Sequence, residues 1–131
     1  MSEPNRTGMI AWVDLTVEDA PRVRDFYAAV TGWQIENVEM RDGTEPYHDF
    51  CMTPPGETAP AAGICHRRGR NSGLPPAWLI YITVDDLDAS LKEVETRGGR
   101  VLRPATDLGP ASRYAVIADP AGCACALFEQ H

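Results

Sequence analysis

No stretch of this 131-residue chain approaches the eighteen or so consecutive apolar residues that a membrane span requires. The opening segment MSEPNRTG has neither the basic start nor the apolar run of an export signal, so a cytoplasmic protein with no membrane partner is expected. Basic residues are outnumbered, 12 Lys and Arg against 19 Asp and Glu, which leaves a formal net charge of −7. That surface repels polyanions, so no nucleic-acid partner is expected, and it would attract a cationic ligand. Cysteine is sparse: Cys51, Cys65, Cys123 and Cys125. In a reducing compartment these are expected to be free, buried thiols. What is present is an ordinary globular balance, 44% hydrophobic and 24% charged, with length enough for one domain spanning 1–131 and a real core.

The chain says nearly the same thing twice. LTVEDAPRVRDFYAAVTGW (15–33) aligns with ITVDDLDASLKEVETRGGR (82–100), matching Thr16 to Thr83, Val17 to Val84, Asp19 to Asp86 and Gly32 to Gly99. Each copy begins with an alternating strand: Ala11, Val13, Leu15, Val17, and then Trp78, Ile80, Ile82, Val84. Asp19 or Asp86 is placed to cap a helix. Helical spacing follows, with Val23, Phe26, Tyr27 and Val30 in one copy and Leu87, Leu91 and Val94 in the other. Gly32 and Gly98 end the helices. Further strands are expected near 33–39, 46–53 and 61–67, and near 100–103, 113–118 and 123–129. The reading is α+β: two βαβββ modules, about 8–67 and 77–131, related by a pseudo-twofold axis. RGRNSGLPPA (68–77) is the Gly/Pro-rich linker between them.

Alternation also assigns faces. The apolar face of each first strand belongs under its helix. The other face carries Trp12, Asp14 and Thr16, or Leu79, Tyr81 and Thr83, and is expected to line a concave ligand surface. Near the end, Cys123, Cys125 and Leu127 alternate away from Ala124, Ala126 and Phe128, which puts the thiols on the helix side.

Three segments, VEDAPRVRDFYAAVTGW, PPAWLIYITVDDLDASLKEVETRGGRVL and RYAVIADPAGCACALFE, resemble the glyoxalase/bleomycin-resistance/extradiol-dioxygenase group, the vicinal oxygen chelate superfamily. With their spacing they cover nearly the whole chain, and the last two are especially similar to bacterial relatives of lactoylglutathione lyase. The resemblance implies a cupped sheet built by the two modules. In metal-dependent relatives, donors from the first, fourth, fifth and eighth strands hold an ion that acts as a Lewis acid. Here the first- and fifth-strand positions fall on Trp12 and Leu79, the eighth on Ala126, and the fourth within AAGICHRR, where only Cys65 and His66 carry donors. No metal and no other cofactor is therefore expected. A relocated zinc set drawn from His48, Cys51, Cys65 and His66 has suitable donors, but His48 and Cys51 should face opposite sides of a strand.

The expected function is binding of a small molecule in the cup, by Trp12, Asp14, His48, Phe50, Leu79, Tyr81, Tyr114, Ala126 and Phe128. Phe50 joins Trp12, Tyr81 and Phe128 as an aromatic wall suited to a cation. Asp14 with His48 or Tyr114 could form an acid–base pair, the basis of an alternative reading as a lyase or isomerase. A ligand-free interaction module is the third reading. Arg67, Arg68, Arg70 and Arg113 could meet an anion at the cup mouth. A homodimer is expected, since open paired sheets leave strand edges to protect.

Overall fold

The computed structural model describes residues 6–131; residues 1–5, part of the polar opening segment, and the Arg70 side chain lie outside the described residues. Strand β1 (Ile10–Val17) leads into helix α1 (Ala20–Thr31), then β2 (Gln34–Asp42), β3 (Glu45–Thr53) and β4 (Ala62–His66). A 3-10 turn at Gly69–Asn71 interrupts the linker. Strand β5 (Trp78–Thr83), helix α2 (Leu87–Thr96), β6 (Arg100–Asp107), β7 (Ser112–Ala118) and β8 (Ala124–Gln130) complete the chain. The architecture is α+β with the βαβββ order present twice, as the internal repeat predicts. Among the described residues, no helix is long and apolar enough to cross a membrane.

Two compact units form, Val13–Trp78 and residues 6–12 together with Leu79–His131. The described segment leading into β1 thus joins the second module. The cause is local: the Gly8 N–H donates to the Thr83 carbonyl and the Thr83 N–H to the Met9 carbonyl, both at 2.8 Å.

In the Val13–Trp78 unit the strand order is β2-β3-β4-β1. Strand β1 runs parallel to β4, with Asp14 opposite Gly63 and Thr16 opposite Cys65. Strand β3 runs antiparallel to its two neighbours. Helix α1 starts where the Asp19 carboxylate accepts the Arg22 N–H at 3.3 Å, and stops at Gly32, whose φ of 81° only glycine adopts freely. Its inner side packs on Phe50, Met52 and Ile64 through Ala20, Val23, Tyr27 and Ala28. Phe26 and Val30 depart from the expected stripe: they are 57% and 65% exposed. Small alanines bring the helix close along one row of residues, so the outer half of the apolar stripe is left in solvent. Trp78 also departs from expectation. It packs in this unit, its Nε1–H donating to the Tyr27 hydroxyl at 3.2 Å, with Trp33 against both rings.

In the other unit the order is β5-β8-β7-β6. Helix α2 is capped by Asp86, which accepts the Ala89 N–H at 3.1 Å. Leu87, fully buried, joins Ala115, Ile117 and Leu127, with Ile82, Val84, Leu91, Val94 and Cys125 around them. Burying a side chain such as Leu87 contributes about 1.5–3 kcal/mol. Past the helix end, Gly99 is required by close approach: a Cβ there would lie 2.7 Å from the Ala118 carbonyl oxygen. Cys125 and Leu127 lie on the helix side as expected. Cys123 precedes β8 and is exposed, because the Asp119–Gly122 turn holds it outside the pleat.

Candidate functional site

Each sheet has one face covered by its helix and one that is not, and the ladders identify the residues on the uncovered faces. In the second unit Tyr81 lies opposite Ala126, Ala126 opposite Val116, and Tyr114 opposite Phe128. Opposed residues share a face, and the neighbouring face holds Ile82, Leu127, Ala115 and Ile117 under α2. The helix-free face therefore carries Tyr81, Ala124, Ala126, Phe128, Tyr114 and Val116. Tyr81 and Tyr114 stack there, with ring centroids 6.2 Å apart and planes 30° from parallel. The stack adds roughly 0.5–1.5 kcal/mol beyond burial of the rings.

Arg103 completes this group. The guanidinium Nη1–H donates to the Tyr114 hydroxyl at 3.2 Å. The β6–β7 ladder is irregular on either side of Arg103: Val101 opposes Ile117, Arg103 opposes Val116 and Thr106 opposes Tyr114. Val101 shares the helix face with Ile117, and strict alternation would put Arg103 beside it. The bulge turns Arg103 to the other face, where it meets the tyrosine. Sequence reading missed Arg103 because nothing in VLRPAT except Pro104 marks a bulge.

In the first unit Asp14, Gly63 and Cys51 form one row across β1, β4 and β3, facing away from α1. Cys65 lies two residues beyond Gly63 on that face, so Cys65 is the donor of AAGICHRR that shares the Asp14 face. Burial, followed by the charges of Asp14 and Asp49 and a hydrogen bond with Asp49, pushes its thiol far above the usual value. Burial and then Asp14 and Glu36 push Cys51 up as well. Asp49 is itself buried. It accepts the His66 N–H at 2.8 Å and lies 3.3 Å from His66 Nδ1.

Two expected site residues lie elsewhere. Phe50 opposes Ile64 and packs beneath α1, 4% exposed, with the Arg24 guanidinium 4.5 Å above its ring. His48 is two residues away on the same strand and so shares that side, which separates it from Asp14. The proposed Asp14–His48 pair is not formed. Leu79 and Ala126 have no exposed surface and Tyr114 has 2%, so these three present no surface to a ligand in this structure. Trp12, Asp14, Tyr81 and Phe128 remain half-buried. Arg113 does not await an anion: it binds Glu129 at 3.1 Å and Asp88 at 3.4 Å. Arg67 pairs with Glu18 and Arg68 with Asp42.

The donor set does not fit a family-type metal. Trp12, Leu79 and Ala126 carry no ligating atom, and Cys65 alone cannot hold a divalent ion. Among the described residues, no three His, Cys, Asp or Glu side chains are grouped to hold an ion.

A sequence profile of the glyoxalase/bleomycin resistance protein/dioxygenase superfamily matches residues 9–127. Over 124 residues the chain is 38% identical to "Putative glyoxylase CFP32" of Mycobacterium tuberculosis, covering 95% of this chain and 46% of that protein. It is 34% identical over 131 residues to the anthracycline biosynthesis protein DnrV of Streptomyces peucetius, covering 94% and 47%. The chain thus spans about half the length of these curated relatives. Among solved structures, methylmalonyl-CoA epimerase from Mycobacterium tuberculosis matches with a TM-score of 0.54 at 19% identity, over 98% of this chain and 93% of that one. At that identity the likeness is one of fold.

Proposed function

The chain belongs to the glyoxalase/bleomycin resistance protein/dioxygenase superfamily, and we propose that within it this protein binds a flat small molecule without the help of a metal. The observation that carries the reading is the Tyr81–Tyr114 stack on the helix-free face, with Arg103 on the Tyr114 hydroxyl. Tyr81 is half-buried, so one ring presents surface while the other, buried, fixes its position. A planar ligand gains stacking energy on such a ring. The net charge of −7 favours a cationic one, which gains from cation–π attraction. The relative named for anthracycline biosynthesis supports a polycyclic aromatic ligand class. Trp12 adds a second half-buried aromatic side chain to the proposed ligand surface.

The test is a binding screen of planar aromatic cations read by intrinsic fluorescence, followed by Tyr81→Ala. A loss of about 1.4 kcal/mol weakens binding tenfold. Unchanged affinity in a folded Tyr81→Ala variant would remove this face from consideration.

A second reading is metal-independent lyase or isomerase chemistry, favoured by the half-buried Asp14 beside Cys65 and Asp49. A carboxylate in that setting can move a proton. Turnover of any ligand found in the screen, abolished by Asp14→Asn with binding retained, would establish this reading over simple binding.

A further inference from the structure

The two helices of the repeat differ in what they place along one flank. In the first unit Val23 and Tyr27 of α1 pack on Phe50, Met52 and Ile64, and Trp33 and Trp78 close on the Tyr27 ring. The internal repeat puts Ser90 where α1 has Val23, Val94 where it has Tyr27, and Arg100 where Trp33 stands. The flank of α2 is therefore lined by smaller side chains, and a groove of about 550 Å³ runs beside it. That volume lies within the roughly 300–1,000 Å³ of small-molecule sites. Val84, Val94, Ile117, Ala118 and Leu127 make its apolar interior, and Thr7 and the turn at Asp119 and Pro120 bound it. Ile117 and Leu127 lie on the α2 side of the sheet, so the groove is on the opposite face from Tyr81 and Tyr114.

The charges around the groove are of one sign. Asp85, Asp86, Glu93 and Asp119 line it, against one guanidinium, that of Arg97. Arg97 is held by Glu93 at 2.7 Å. Asp86 accepts the Ala89 N–H, and Asp119 accepts those of Ala121 and Cys123. Neither forms an ion pair among the described residues. The Asp85 carboxylate has no hydrogen bond and no ion pair among them. Three carboxylates thus border an apolar groove with no basic side chain bound to them.

We propose that this groove binds a small lipophilic cation, an apolar ring or chain that bears one protonated amine. The apolar body displaces water from the groove interior, which drives binding. The ammonium lies at Asp85, whose carboxylate gives up no other partner on pairing. Asp86 and Asp119 add to the negative field there, so an anion of the same shape is repelled. The site is separate from the tyrosine face and does not depend on it.

Protonated 1-adamantylamine is the probe, since its rounded cage cannot stack on Tyr81. Titrated into the 131-residue chain, it is expected to bind saturably with a Kd on the order of 1 mM and to shift the backbone amide resonances of Ser90 and Ala118. 1-Adamantanecarboxylate is expected to bind at least about tenfold more weakly. Asp85→Asn is expected to weaken the amine about threefold, the scale of an exposed ion pair. Ala89→Trp, at an exposed position on the groove wall, is expected to abolish binding with an unchanged thermal midpoint. Tyr81→Ala is expected to leave the amine's affinity as it is, which tests this site apart from the ligand surface proposed above. No saturable binding, equal affinity for amine and carboxylate, parental affinity in Asp85→Asn or in a folded Ala89→Trp, or a loss in Tyr81→Ala would each overturn the proposal. So would an affinity that falls as protein concentration rises, which gives the groove to a second copy. A tenfold gain on deleting residues 1–5 would give it instead to the start of the chain, and overturn the proposal equally.

Discussion

The Glu129 carboxylate accepts the backbone N–H of Leu87 at 2.8 Å, joining the end of β8 to the first turn of α2. Its Oε2 also takes the Arg113 Nε–H at 3.1 Å, and the side chain is buried. These bonds, that from Arg113 first, hold its carboxyl below the ordinary carboxylate range. Replacing Glu129 by Ala leaves a helix N–H and a guanidinium without their acceptor, at a cost of about 2–3 kcal/mol. Thermal melting is expected to fall by roughly 5–10 °C. The pH dependence has a definite sign. A depressed carboxyl stabilises fully above its unfolded value, and that contribution is lost as pH falls through the folded one. Parent and Glu129→Ala melting curves are therefore expected to converge toward acid pH; a constant gap down to pH 2 would contradict the assignment.

Phe50 and Trp12 are predicted to separate stability from binding. Phe50→Ala empties a buried position beneath α1 and is expected to cost about 3–5 kcal/mol in urea unfolding. Trp12→Ala is expected to leave the fold intact and to weaken a ligand found by screening about tenfold, a loss of about 1.4 kcal/mol. A large stability loss at Trp12, with none at Phe50, would reverse the two roles.

How much of this the sequence discloses depends on which local signal decides each position. The caps at Asp19 and Asp86, the stops at Gly32 and Gly98, and the face shared by Tyr81 and Ala126 all follow from local rules of turn chemistry and alternation. The side of β3 that faces the helix does not. Tyr47, Phe50 and Met52 put large apolar groups at both odd and even positions, so alternation cannot choose between them. Only the ladder to Ile64 settles Phe50. Arg103 is hidden for a related reason, since a bulge is a property of two strands together.

Tyr114→Phe is predicted to remove the acceptor of the Arg103 bond without removing the ring. Stability should change by about 1 kcal/mol. If Arg103 helps orient the stack, ligand affinity should fall more than stability does, and Arg103→Lys in the parent should retain only part of the binding in competition titrations. Affinity equal to that of the parent would confine the bond to a structural role.

Thiol reactivity should rank the cysteines. Cys123 is exposed, while burial raises the Cys65, Cys51 and Cys125 thiols. With a chromogenic disulfide at pH 8, Cys123 is expected to react first and Cys65 last, since the thiolate is the attacking species. Loss of the fast phase in Cys123→Ser checks the order.

Elemental analysis of protein prepared without added metal is expected to find no stoichiometric transition metal. About one zinc, nickel, manganese or iron per chain, lost on Cys65→Ser, would reverse the donor argument.

The bulge in β6 makes the orientation of Arg103 a matter of residue count rather than residue type. Every side chain from Val101 onward takes its face from the number of residues before it, and the extra one at the bulge inverts that parity. Removing Leu102, an exposed residue outside both the core and the tyrosine stack, would make the ladder regular and leave Arg103 opposite Val116, still on the tyrosine face. A strand of the same length that ran without the bulge would instead turn Arg103 under α2. Position-by-position comparison would score the first change as a gap and the second as no change at all, the reverse of their effect on the site.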